Sequence, residues 1–273
     1  MKALSFDAYT LKLFAVVAMI ANHIAIGFAP ILPLGLMLIL YAVGGATYVI
    51  MAYFVVEGYR HTSNLKKYIG RLFMFGIIAQ AFHPTVLGIT DILGTGFFLN
   101  IMFTIILSLF TLLMYDKIKI RFLFWLLFIV ICVVAMFMDL FFIAIIVTLM
   151  YHSIKDENRR RTLPGIVAGI IFMVLGMLSA LVPLMYLTTG AFAEEMAVIT
   201  MTTGMSINLM VATPTFAIGC FVAAILIRNF NGERGKRSRW LFYVMYPTHL
   251  AIIALIMVLM GLATFNLFGF IQF

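Results

Sequence analysis

Apolar residues gather in nine blocks along the chain, at about 9–29, 34–56, 69–89, 97–115, 120–137, 140–153, 164–187, 206–228 and 240–262, separated by short polar or charged stretches. A helix needs about 20 apolar residues to cross a hydrocarbon core of ~30 Å, so these lengths predict an all-α, polytopic membrane protein of about nine transmembrane helices. Two places are less regular. Blocks five and six meet near Asp139 with no Gly or Pro at the junction, and residues 190–205 are apolar but carry Glu194 and Glu195. We expect two short helices at the first place and an interfacial or re-entrant segment at the second. No internal repeat, low-complexity tract or inverted pair of broken helices interrupts the series, so residues 1–273 read as one transmembrane domain.

The order of the charges gives the blocks a direction. Lys2 and Lys12, then Arg60, Lys66, Lys67 and Arg71, then Lys117, Lys119 and Arg121, then Lys155, Arg159, Arg160 and Arg161, and finally Arg228, Arg234, Lys236, Arg237 and Arg239 make up all 18 basic residues. With nine crossings all of them fall on one side, while Asp91, Asp139, Glu194 and Glu195 fall on the other. Basic residues are retained in cytoplasmic loops, so the expected arrangement has the N-terminus inside, the C-terminus outside, and a cell (cytoplasmic) membrane location. Fusing blocks five and six would put nine basic residues outside, which is the reason for keeping them apart.

Composition agrees: 65% hydrophobic, 10% charged and a mean hydropathy of +1.17 exclude a soluble globular enzyme. The net charge of +8 belongs to short loops at the membrane surface, so no nucleic-acid partner is expected. The first apolar block lacks a small-residue cleavage site and reads as a retained span. Cys132 and Cys220 sit inside apolar blocks and suggest neither a disulfide framework nor a metal site.

Ionisable groups at membrane depth cost roughly 2.5 to 3.5 kcal/mol each on insertion scales, so each needs a reason. His23 follows Lys12 by 11 residues, which puts it on nearly the same helix face and roughly 16 Å deeper. With the adjacent Asn22 it forms a polar seam in an otherwise apolar helix, and such seams face cavities rather than lipid. His83 and His249 reach similar depth on two other blocks. Alone, either reads as a structural histidine, and a zinc site built from the three would lack any matching carboxylate or Cys pattern. In the segment YFVVEGYRHTSNLKKYIGRL (53–72), Glu57 lies within an apolar block, which suggests a buried cationic partner such as Lys12 or Arg71. The basic residues around it read either as membrane anchors or as phosphate ligands.

Four stretches, LKLFAVVAMIANHIAIGF (11–28), YFVVEGYRHTSNLKKYIGRL (53–72), NIMFTIILSLF (100–110) and RWLFYVMYPTHLAII (239–253), resemble the TraX family, membrane proteins related to the F-pilin acetylase. The spacing from Lys12 to His23 is also similar to the basic-x10-His signature of the wider transmembrane acyltransferase superfamily. Where TraX-like sequences tend to carry Asp before this His, the chain has Asn22, so His23 needs an orienting partner from elsewhere, with Asp139 as the candidate. The resemblance implies transfer of an acetyl or other short acyl group from cytosolic acyl-CoA to a hydroxyl or amine acceptor at or across the membrane. His23 is then the expected general base or transient acyl carrier, Asn100 and Tyr246 the oxyanion donors, and His249 a neighbour in the same cavity. Lys12, Glu57, Arg60, Lys67 and Arg71 are the expected residues around acyl-CoA. The alternative class is a transporter or permease using its histidines and carboxylates as a proton relay.

Overall fold

The computed structural model describes residues 5–88, 98–203, 206–236, 239–267 and 271–272. Lys2, Asp91 and Arg237 lie outside the described residues, as does the side chain of Arg239. Helices fill every one of the nine apolar blocks. They are α1 (Ala8–Gly27), α2 (Leu34–Gly44), α3 (Ala46–His61), α4 (Leu65–Gln80), the single turn α5 (His83–Leu87), α6 (Ile101–Lys117), α7 (Arg121–Ala135), α8 (Phe141–Ser153), α9 (Glu157–Thr189), α10 (Ala193–Thr203), α11 (Ile207–Ala212), α12 (Phe216–Arg228) and α13 (Arg239–Leu259). A 3-10 turn, Thr213–Thr215, joins α11 to α12, and the only strands among the described residues are Asn266–Leu267 and Ile271–Gln272. Among the described residues, five segments are long and apolar enough to cross a membrane by themselves: Ala8–Gly27, Leu34–His61, Glu157–Thr189, Ile207–Arg228 and Phe242–Leu259. The chain is a helical, multi-pass membrane protein whose apolar helices fit a lipid bilayer.

Several boundaries depart from the sequence pattern for local reasons. Block three does not run to 89 as one helix: α4 stops at Gln80, and α5 begins three residues later. Pro84 explains the break, because it has no N–H to give the Gln80 carbonyl and its ring crowds the preceding turn. Block seven begins earlier than expected, at Glu157, because the Asp156 side chain accepts from the Arg159 N–H at 2.8 Å and starts the helix there. Blocks five and six do form two helices. Their turn runs through Leu140 and Phe141, both with positive φ (61° and 49°). Hydrogen bonds from Leu99 N–H to the Phe137 carbonyl and from Asp139 N–H to the Leu99 carbonyl pin that turn against the start of α6. Residues 193–203 form a short helix of their own, with Val198 and Met201 exposed.

Between helices in lipid the hydrophobic effect drives little, so close approach of small residues does the packing. Gly165 and Gly169 of α9 lie against α12: a methyl at Gly165 would stand 2.9 Å from Ala224 Cβ, and one at Gly169 would meet the Phe221 ring. Gly45, between α2 and α3, sits directly on the Phe216 carbonyl, so no larger residue fits there. These contacts fix α2, α3, α9 and α12 as one wall. Helices α1, α4, α6, α8 and α13 close the space in front of it.

Candidate active site: a histidine chamber behind a basic mouth

Helix α1 carries Lys12, Asn22 and His23, and α13, packed against it, carries Phe242, Tyr246 and His249. The His23 Nδ1–H donates to the carbonyl of Met19, four residues back, at 2.8 Å, and the His249 Nδ1–H donates likewise to the Met245 carbonyl at 2.8 Å. His249 Nε2 is thereby left with a lone pair, and it lies 3.2 Å from His23 Nδ1, whose proton it shares. Both rings are buried, at 7% and 4% exposure. The consequence is a fixed tautomer: neutral His23 holds its proton on Nδ1, and Nε2 is the free base.

His23 and Tyr246 line a cavity of about 410 Å³ together with Asn22, Tyr41, Tyr48, Asp139 and a mainly apolar remainder. The Tyr246 ring meets His23 edge-on at 6.3 Å. Its hydroxyl is buried and makes no hydrogen bond of acceptable geometry, although the Ile101 N–H lies close, and Asn22 Oδ1 is likewise buried and unpartnered. A buried polar atom without a partner costs about 1–3 kcal/mol, so two of them around one cavity, an amide oxygen and a hydroxyl, suit a site that a polar ligand completes. Asp139 reaches the same cavity from the turn before α8, held by the bonds to Leu99 and by Thr104 Oγ1, which donates to its carbonyl at 3.0 Å.

A second cavity, of about 380 Å³, is lined by Lys12, Arg71, Arg234, Lys236 and His61, with Tyr9, Tyr68 and Tyr243 among them. The two cavities share Met51, Met102, Ile105 and Phe242 as walls, so the basic one adjoins the histidine one. Lys12 stands at this junction, its Nζ 4.6 Å from the Phe54 ring centre and 5.8 Å from that of Phe242. Arg71 lies against Tyr68 and Tyr243, with a buried and unpartnered Nε. Arg234 and Lys236 come from the loop 229–236, which residues 6–8 hold in place. Phe6 N–H donates to the Asn229 carbonyl, Asn231 N–H to the Phe6 carbonyl, and Ala8 N–H to the Glu233 carbonyl. Gly235 (φ +64°) lies against the Asp7 carboxylate, where a side chain would not fit. Asp7 caps α1, and the bond from the Thr10 N–H holds its carboxyl below the usual range.

Of the expected residues, the structure brings His23, Tyr246, Asp139 and His249 together around one cavity or its wall, and Lys12 and Arg71 around the other. It separates the rest. Asp139 is not the orienting partner of His23: its Oδ2 accepts from His83 Nε2 at 3.0 Å, and His23 is oriented by Met19 and His249 instead. Asn100 is not free to stabilise an oxyanion, because its amide donates to the Gly76 carbonyl and to Gln80 Oε1 while its own oxygen caps α6 at Met102 N–H. Glu57 pairs with neither Lys12 nor Arg71. It accepts from Arg160 at 2.8 Å, in a network with Glu157 and Arg161 outside both cavities. Arg60 donates to the His152 carbonyl, and Lys67 is exposed with its N–H bonded to Asn64 Oδ1. From the sequence Arg234 and Lys236 read only as loop charges; the glycines in NGERGKR are the signal that this stretch turns back on the bundle.

A bundle of apolar helices with buried, tautomer-fixed histidines in a chamber, and cations gathered at the adjoining cavity, defines an integral membrane protein with an enclosed reaction or binding site. The family described as TraX protein matches residues 7–257, and the chain belongs to that family. The chain is similar, at 27% identity over 264 residues, to the "Probable fimbrial assembly protein FimC, serogroup H1" of Dichelobacter nodosus, covering 92% of this chain and 95% of that protein. No solved structure matches.

Proposed function

We propose that the protein is a membrane-embedded acyltransferase that takes an acetyl or other short acyl group from cytosolic acyl-CoA and passes it to a hydroxyl or amine. The observation that carries this reading is the adjoining pair of cavities, one basic and one holding His23 Nε2, with Met51, Met102, Ile105 and Phe242 between them. Arg71, Arg234, Lys236 and Lys12 then face the nucleotide phosphates, and the acyl-bearing arm passes the shared wall. Lys12 precedes His23 by 11 residues, or roughly 16 Å along α1, which is within the span of that arm. His23 Nε2 takes the proton from the acceptor as its oxygen or nitrogen attacks the thioester carbonyl. Tyr246 donates to the developing oxyanion, and collapse breaks the C–S bond, with the proton passing from His23 to the departing sulfur.

The topology that serves this reading has nine crossings, with the N-terminus inside, the C-terminus outside and the basic mouth on the cytoplasmic face of the cell membrane. It rests on the charge distribution. The name of the D. nodosus relative, fimbrial assembly, accords with an acceptor in the cell envelope. The decisive experiment is His23→Gln, which keeps a polar group in place and removes the base. Acyl-CoA binding is expected to stay within about threefold while transfer falls by about 10²–10⁴-fold, the range for loss of a general base. Near-normal transfer by a folded His23→Gln protein would refute the assignment.

A further inference from the structure

The wall of the histidine chamber is thinnest on the side of α9. Among the residues lining it, two are exposed, Leu175 (45% exposed) and Ser179, one turn apart on α9. A residue that lines an internal cavity and is itself exposed marks a place where the wall is one side chain thick. That surface is apolar: Val174, Met177, Leu178 and Leu181 around it are all exposed, on a helix apolar enough to span a bilayer. Leu175 and Ser179 stand 14 and 18 residues beyond Arg161, about 21 and 27 Å along the helix, inside a hydrocarbon layer of about 30 Å. Tyr41 and Gly44 of α2 line the same cavity. Ser179 Oγ and Thr213 Oγ1 hydrogen-bond to each other at 2.8 Å, so the hydroxyls at this thin wall are satisfied without water.

We propose that the acyl acceptor is a bilayer lipid that enters sideways past Leu175 and Ser179, its polar tip in the chamber and its chain left in the membrane. The inference rests on the acyltransferase reading and names its acceptor. Polar tip and apolar tail match the chamber: the unpartnered Asn22 Oδ1 and Tyr246 hydroxyl lie deep, beside His23, and the exit is hydrocarbon. A peptide arriving by the same route would have to be helical, because an extended backbone in hydrocarbon leaves its amides unsatisfied. A lipid carries no such backbone, so its chain can stay in the membrane while its tip reacts. A lipid hydroxyl or amine attacks the thioester carbonyl, the C–S bond breaks as the ester or amide forms, and the acceptor proton leaves through His23 Nε2 on the coenzyme A thiol.

The test uses the full chain in liposomes containing a long-chain alkyl amine with a photoreactive diazirine beside its amino group. Illumination is expected to label the peptide holding Asn22 and His23, and Leu175→Trp to lower that labelling at least fivefold while acetyl-CoA binding stays within twofold. Ser179→Phe, on the other exposed residue, is expected to do the same. A short-chain, water-soluble version of the probe is expected to give under a tenth of the label. Equal labelling in wild type and both variants, label confined to the outer face of α9, or labelling only by a diazirine-bearing apolar peptide would each overturn the proposal. His23→Gln is expected to keep the wild-type label. Transfer that survives His23→Gln would sink the catalytic reading, whereas loss of the label with transfer intact would sink only the lateral route.

Discussion

Replacing Arg71, Arg234 and Lys67 one at a time by Ala compares three cations that the sequence does not rank and the structure does. Arg71 is half buried in the basic mouth with an unpartnered Nε, Arg234 lines the same mouth but is exposed, and Lys67 is exposed and lies outside it. A charge-assisted hydrogen bond contributes about 1.5–3 kcal/mol when partly desolvated, against ~0.2–1 kcal/mol for an exposed ion pair. With each 1.4 kcal/mol worth tenfold, Arg71→Ala is expected to weaken acetyl-CoA binding about 10- to 140-fold, Arg234→Ala by no more than about fivefold, and Lys67→Ala less than twofold. The assay is equilibrium binding of labelled acetyl-CoA to the protein in nanodiscs, repeated from 0.1 M to 1 M salt, over which the Debye length falls from about 10 Å to 3 Å. Raised salt should remove most of the Arg234 effect and less of the Arg71 effect. A Lys67→Ala loss equal to that of Arg71→Ala, or an affinity indifferent to salt, would show that the basic cavity does not hold the phosphates.

Tyr246→Phe removes a hydroxyl that has no partner to lose, so it should leave the melting temperature unchanged or slightly raised and lower the transfer rate by about 10²-fold, the lower end for loss of an oxyanion donor; unchanged transfer would remove Tyr246 from the mechanism. Asn100→Ala uncaps α6 and removes the amide's bonds to the Gly76 carbonyl and Gln80 Oε1, and is expected to cost about 1–3 kcal/mol, read as a lowered melting temperature with acyl-CoA affinity of the folded fraction unaltered. Reporter fusions after Arg161 and after Phe273 should read cytoplasmic and external respectively; a cytoplasmic C-terminus would mean an even number of crossings.

The helical membrane class and the position of every apolar block were legible because burial in lipid demands continuous apolar runs, and those runs are all present as helices. His23 was legible for the same reason, as a polar seam where none is needed. What the sequence hid was pairing. Asp139 and His83 meet across 56 positions, and Glu57 and Arg160 across 103. Periodicity carries no information about such partners. Asn100 misled in a particular way: an Asn at the head of an apolar run reads equally as a site donor or as a helix cap, and the local geometry chose the cap. Arg234 and Lys236 were hidden because a loop charge looks the same whether it faces water or is folded back by residues 6–8 onto a cavity.

The contact between His23 and His249 spans 226 residues of chain, and this has a consequence for biosynthesis. At a synthesis rate of ~5–20 residues per second, α1 waits about 11 to 45 seconds before the helix that completes its chamber is made. Through that interval the first helix holds a half-formed polar seam in lipid, and its flanking residues 6–8 lack the strand of loop they pair with. The chamber is therefore closed long after α1 is made. A nascent chain stalled before α13 would hold neither finished cavity, because that helix supplies Phe242 to both and Tyr246 to the histidine chamber.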